Sequence, residues 1–295
     1  MDRPRCLPPG RPIFPREPLH RFGKVTFPVN TNRIDRLFAH LRSQKRKALV
    51  TYLVAGDPDL ASTAQLVPAL AEAGADLVEL GVPFSDPLAD GIVNQLGSQR
   101  ALDSGTTLPK VLDLVARLRK EKCDIPLVLF TYYNPVFAYG REKFEKNAAQ
   151  AGADGLLLLD LPPEEADTDL PPSDTLRRIV LVAPTTPEDR LKEITRRASG
   201  FIYYVSREGV TGMQQSLPAS LSDRVNLLKK TTPLPVCVGF GISNPAQAGE
   251  VAKLADGVVV GSAIVDRIGK LGRSPKLAAE VASFLRPLAQ AVHSA

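Results

Sequence analysis

The sequence predicts a (β/α)₈ barrel, and three observations carry that prediction. Eight short apolar runs recur along the chain, helical patterns fill most of the gaps between them, and one motif repeats where a helix gives way to the next run. The repeats are "AEAGADLVEL", "AQAGADGLLLLD" and "AKLADGVVVG", each joining helix end to strand through a small residue and Asp. An open doubly wound sheet is the alternative architecture, but its strand order would reverse along the chain, which suits this repetition less well.

Residues 1–31 stand outside the pattern. They hold Pro4, Pro8, Pro9, Pro12, Pro15, Pro18 and Pro28, a density that prevents regular helix or a central strand. This segment is expected to be a disordered extension, or the product of a start codon assigned too far upstream, and residues 32–295 to form the barrel. "RIDRLFAHLRSQ" then shows helical apolar spacing, and "ALVTYLVAG" (48–56) is the first strand-like run. The others are "DLVEL" (76–80), "PLVLFTYY" (126–133), "GLLLLD" (155–160), "RIVLVAP" (178–184), "FIYYVS" (201–206), "LPVCVGFG" (234–241) and "DGVVVG" (256–261). Between them, "ASTAQLVPALAEAG", "LPKVLDLVARLRKE" and "REKFEKNAAQAG" are long enough for the crossovers that parallel strands require.

Composition narrows the function classes. With 295 residues, 44% hydrophobic and 23% charged, the chain is long enough for one large core. No apolar run is long enough to span a bilayer, and the Pro- and Arg-rich start lacks the apolar stretch of a secretory signal, so a cytoplasmic location is expected. Of the formal charge of +5, residues 1–31 supply +4 through six basic and two acidic residues. The remainder is near neutral, which argues against a nucleic-acid partner. Cys6, Cys123 and Cys237 are widely spaced and suggest neither a disulfide framework nor a zinc site.

Chemistry is sought at the C-terminal ends of barrel strands. Glu79 is a lone acid in the apolar run "DLVEL", and alternation puts it on the same side of its strand as Leu77. A buried carboxylate is costly unless it is paired or its pKa rises. Glu79 therefore reads either as half of a structural ion pair or as an acid–base group, and no interior Lys or Arg is evident to pair with it. Asp90, in "SDPLADG", reads as turn chemistry or as its companion. His20, His40 and His293 lie away from every strand end, so acid–base work falls to carboxylates or Tyr. No Lys ends a strand, so cleavage of a C–C bond would need an electron sink in the substrate itself.

Late in the chain, "REGVTG" (207–212), "GFGIS" (239–243) and "GSAI" (261–264) follow three consecutive strands. Gly permits close backbone approach, and a helix starting after Gly261 and Ser262 would aim N–H groups at an anion, as in a barrel phosphate site. Tyr203 is either core or a hydroxyl near Glu79, and Thr211 either turn chemistry or a hydroxyl closing its loop onto Asp90. Tyr52, Leu129 and Phe130 are either core or the apolar wall that an aromatic substrate needs.

In this order, "YLVAGDP", "ELGVPFSDPLADG", "LLLLDLPPEE", "LVAPTTP", "YYVSREGVTG" and "VGFGIS" resemble the tryptophan synthase alpha subunit family, from about Asn32 to about Ala291. The resemblance implies a lyase that cleaves indole-3-glycerol phosphate to indole and glyceraldehyde 3-phosphate without metal or organic cofactor, the indole ring being the electron sink. It implies that Glu79 is the general acid–base and that Asp90 accepts from the ring N–H. It places Tyr203 beside the acid, Thr211 on the closing loop, and Gly212, Gly241, Gly261 and Ser262 in the phosphate cradle. Ile92, where the family usually has Pro, and Glu208, where it has Thr or a small residue, depart from the pattern and bear on loop closure. The implied partner is a pyridoxal-phosphate beta subunit in an α₂β₂ assembly, docking on the loop of Asp86 and Pro87, "YNPVF" (133–137) and "DLPPEE" (160–165). Another phosphate-binding barrel enzyme and a non-catalytic barrel that only activates a partner are the competing classes.

Overall fold

The computed structural model describes residues 32–169, 173, 175–205, 220–239 and 241–295. Its centre is a closed barrel of eight parallel strands: β1 (Ala48–Val54), β2 (Leu77–Gly81), β3 (Leu127–Thr131), β4 (Gly155–Leu158), β5 (Arg177–Val182), β6 (Ile202–Val205), β7 (Val236–Gly239) and β8 (Gly257–Val260). Each strand pairs with the next in sequence, and β8 closes onto β1 with Val50 opposite Val259. All eight predicted strands are present.

Alternation divides the barrel into two apolar regions. Leu49, Leu53, Val78, Leu80, Leu129, Val180 and Val258 face outward and pack under the surrounding helices. Val50, Leu77, Val128, Leu157, Ile179, Phe201, Cys237 and Val259 face inward. Leu129 thus belongs to the sheet–helix layer and does not line the interior, because a period of two sends it opposite to Phe130.

The first helix, α1 (Arg33–Ser43), closes the N-terminal end. Its Ile34, Leu37, Phe38 and Leu41 recur at helical spacing and pack into the inward cluster, with the Phe38 and Phe201 rings 5.7 Å apart. Asn32 caps the helix, its side chain accepting from the Ile34 N–H at 2.8 Å. With that end plugged by apolar side chains, the open end is the one bearing the C-termini of the strands.

The outer helices follow in order: α2 (Leu60–Glu72), α3 (Ile92–Asp103), α4 (Leu108–Lys120), α5 (Tyr133–Tyr139), α6 (Arg141–Ala151), α7 (Pro163–Asp169), α8 (Glu188–Arg196), α9 (Leu221–Thr231), α10 (Pro245–Leu254), α11 (Ser262–Leu271) and α12 (Leu277–His293). The third strand stops at Thr131, and "YNPVF" is the start of a helix where the sequence suggested an exposed loop. Pro135 is tolerated there because the N–H groups of a helix's first turn have no partner within it. Among the described residues no helix is long and apolar enough to cross a membrane.

Candidate active site

Glu79 is the middle residue of β2, opposite Tyr52 on β1 and Val128 on β3. The strand extends one residue past the predicted run, so Glu79 lies a layer inside the barrel mouth. It is fully buried, and among the described residues neither carboxylate oxygen has a hydrogen-bond partner. With nothing to favour the charged form, burial alone pushes its pKa up to about 8. Among the described residues no Lys or Arg makes the structural ion pair that was the alternative.

Two tyrosines flank it. Tyr52 is buried, its ring edge-on to Phe130 at 4.9 Å, and half-buried Tyr203 packs with the inward cluster. Both hydroxyls have pKa values raised well above the ordinary range, first by burial. The charge of Glu79 acts next on Tyr203, while Asp90, Tyr132 and then Glu79 act on Tyr52. Strand glycines make room for these hydroxyls. A Cβ at Gly81 would lie 2.5 Å from Tyr52 Oη, and one at Gly239 would lie 2.5 Å from Tyr203 Oη.

Asp90 sits at the end of the loop after β2, buried, immediately before α3. Tyr132 Oη donates to its Oδ2 at 2.9 Å and Asn94 Nδ2 to its Oδ1 at 3.3 Å. Burial raises its pKa, and these two donors pull against the rise. Tyr132 also accepts from the Ala89 N–H at 3.0 Å, so one hydroxyl ties loop and carboxylate together. Sequence reasoning named neither Tyr132 nor Asn94. The signal for Asn94 was its place four residues after Asp90 on a helix; for Tyr132 there was only its place at a strand end.

On the other side of β1 from Glu79, after β8, α11 begins at Ser262 with Gly261 as its N-cap and no side-chain cap hydrogen bond. A Cβ at Gly261 would lie 3.2 Å from Tyr52 Cβ, so glycine is what lets this helix start approach the site. Gly241 has φ +65°, a backbone conformation that disfavours side chains. Thr211, Gly212 and Glu208 lie outside the described residues. The structure thus brings Glu79, Asp90, Tyr52, Phe130 and Tyr203 together with the helix start at Gly261 and Ser262. A separate cavity of about 320 Å³ lies against β4 and β5, lined by Leu156, Leu158, Val180 and Arg190 among others. None of the site residues lines it, and among the described residues no buried side-chain polar atom in it lacks a partner.

The family model for the tryptophan synthase alpha chain matches residues 38–293. The chain belongs to that family. It is 52% identical over 263 residues to the tryptophan synthase alpha chain of Geobacter sulfurreducens, covering 88% of this chain and 99% of that protein. It is 48% identical over 270 residues to that of Caulobacter sp. strain K31, covering 90% and 98%. Among solved structures, tryptophan synthase subunit alpha from Legionella pneumophila superposes with a TM-score of 0.82 at 36% identity, covering 90% of this chain and all of that one. A chain of Mycobacterium tuberculosis tryptophan synthase superposes with a TM-score of 0.81 at 35% identity, covering 89% and 99%. Glu79, Asp90 and the start of α11 all fall within the span matched to the family.

Proposed function

We propose that this alpha-chain family member is a lyase that cleaves indole-3-glycerol phosphate to indole and glyceraldehyde 3-phosphate, with Glu79 moving the protons. The observation that carries the assignment is the carboxylate itself: fully buried, without a partner, and held largely protonated at neutral pH by a pKa of about 8.

The protonated Glu79 delivers its proton to indole C3, placing positive charge on the ring nitrogen. The ionised Asp90 accepts from the ring N–H and stabilises that charge. Glu79, now a carboxylate, takes the proton of the glycerol hydroxyl on the carbon attached to C3. The C–C bond breaks, its electrons return to the ring, and the hydroxyl-bearing carbon becomes the aldehyde. Charge that develops in a dry site beside a fixed carboxylate is stabilised far more than in water. Tyr52, Phe130 and Tyr203 form the walls for the ring, Thr211 closes its loop onto Asp90, and Gly212, Gly241, Gly261 and Ser262 hold the phosphate by backbone N–H groups and the α11 dipole.

The product suits a partner that consumes indole. Leu88, next to Asp86 and Pro87 in sequence, is 82% exposed, and Ile92 and Leu96 on α3 and Phe137 on α5 are exposed as well, an unusual set of large apolar side chains. A pyridoxal-phosphate beta subunit docks on this face in an α₂β₂ assembly. The test is release of indole from indole-3-glycerol phosphate by the purified chain, alone and with a beta subunit. Slow turnover that rises on mixing is expected; none from folded protein in either case would move the assignment to another phosphorylated substrate or to a scaffold.

A further inference from the structure

A buried polar atom without a hydrogen-bond partner has given up water for nothing unless a ligand completes it. Among the described residues three side-chain atoms are in this position, and two of them are the oxygens of Glu79. The third is Asn94 Oδ1. Asn94 lies in the first turn of α3, and its Nδ2 donates to Asp90 Oδ1 at 3.3 Å. That bond fixes which way the amide faces, because an ionised carboxylate only accepts, and turning the amide over would set oxygen against oxygen. The donors around it are committed to Asp90: Gln95 Nε2 to its backbone carbonyl at 2.8 Å and Tyr132 Oη to its carboxylate at 2.9 Å.

We infer that Asn94 contacts the substrate, its Oδ1 sharing the single ring N–H with Asp90 in a three-centre hydrogen bond while its Nδ2 holds the Asp90 carboxylate in place. The inference rests on the indole-cleavage reading of the site. The ring N–H is the donor that fits, since it is the only one an unsubstituted indole ring carries. Protonation at C3 makes that N–H a stronger donor, so the contact tightens as the charge develops. The amide thus serves two ends: a neutral acceptor for the ring and a donor that favours the charged form of Asp90.

The test compares binding of indole with binding of 1-benzofuran, which has the same shape with oxygen in place of N–H. Calorimetric titration of wild type, Asn94→Leu and Asn94→Ala is the measurement. The wild type should prefer indole, and both substitutions should cut that preference on the order of fivefold, the size of one net hydrogen bond. Losing the Nδ2 donor should also raise the pKa of Asp90 and move the acid limb of kcat/KM to higher pH in both variants, a change that altered packing alone does not produce. An indole preference untouched by both substitutions overturns the inference, as does a wild type that binds no indole. A wild type that shows the Asn94-dependent preference yet cleaves no indole-3-glycerol phosphate leaves the contact standing and removes the lyase reading.

Discussion

Two carboxylates are buried toward opposite ends of the barrel, and their surroundings differ in kind. Asp154, just before β4 at the plugged end, is 2% exposed and accepts from Arg119 Nη2 at 2.6 Å, Arg33 Nη1 at 3.1 Å and the Leu127 N–H at 2.8 Å. Glu79, toward the open end, is 0% exposed and accepts from no group among the described residues. Burial pushes the pKa of both upward, but at Asp154 Arg119, the Leu127 N–H and Arg33 pull against it, and at Glu79 no group does. One acid fastens α4, α1 and the β3 edge together. The other is left without partners, which is unfavourable for folding and necessary for moving a proton at neutral pH.

The comparison is sharpest when each acid is removed. Glu79→Gln keeps the shape but carries no transferable proton, so turnover should fall about 10²- to 10⁴-fold while the unfolding midpoint stays or rises. Near-normal turnover in that variant would remove Glu79 from the chemistry. Asp154→Ala leaves the largely buried Arg119 without its carboxylate, while Arg33 keeps Asp124 at 2.6 Å, and should cost about 3–5 kcal/mol of stability by denaturant unfolding. The folded fraction should turn over normally. If Asp154→Ala were instead as stable as wild type and inactive, the division of labour between the two ends would be reversed.

A smaller effect follows from linkage. The carboxyl of Glu79 titrates near its ordinary value of 4.5 when unfolded and near 8 when folded, so the folded state holds the proton more tightly. Its contribution is fully present below about pH 4.5 and is lost as pH rises towards 8, roughly 3 kcal/mol of it by pH 7 as an upper figure. Stability measured from pH 5 to 8 should fall more steeply in wild type than in Glu79→Gln. Parallel profiles would mean that Glu79 has found a partner or water.

These features were unequally legible in the sequence. The strands were clear because a parallel sheet is covered on both faces, leaving continuous apolar runs such as "ALVTYLV". Glu79 was legible for the same reason: a lone acid stands out in such a run. The third strand was overread through Tyr133 because "FTYY" has high β propensity up to the residue where helix begins, while Leu129, open in the sequence between core and cavity wall, is core because alternation turns its neighbour Phe130 inward. Tyr132 and Asn94 were missed because what they do depends on position in space. Tyr132 reaches Asp90 across 42 residues of chain, and nothing local marks it.

That long-range bond gives the smallest of these effects. Tyr132→Phe removes the donor to Asp90 Oδ2 and the acceptor of the Ala89 N–H while keeping the ring packed against Phe84 at 5.4 Å. Asp90 then has Asn94 as its remaining side-chain donor, and its pKa should rise further. The expected loss in kcat/KM is about fivefold, corresponding to one net hydrogen bond of roughly 1 kcal/mol. The loss should grow as the pH is lowered, because the rise in pKa moves the acid limb upward. A uniform loss at every pH would mean that Tyr132 only supports the loop through Ala89. A pH-dependent loss would place Asp90, midway between the fully partnered Asp154 and the unpartnered Glu79, as the acid whose ionisation its neighbours set.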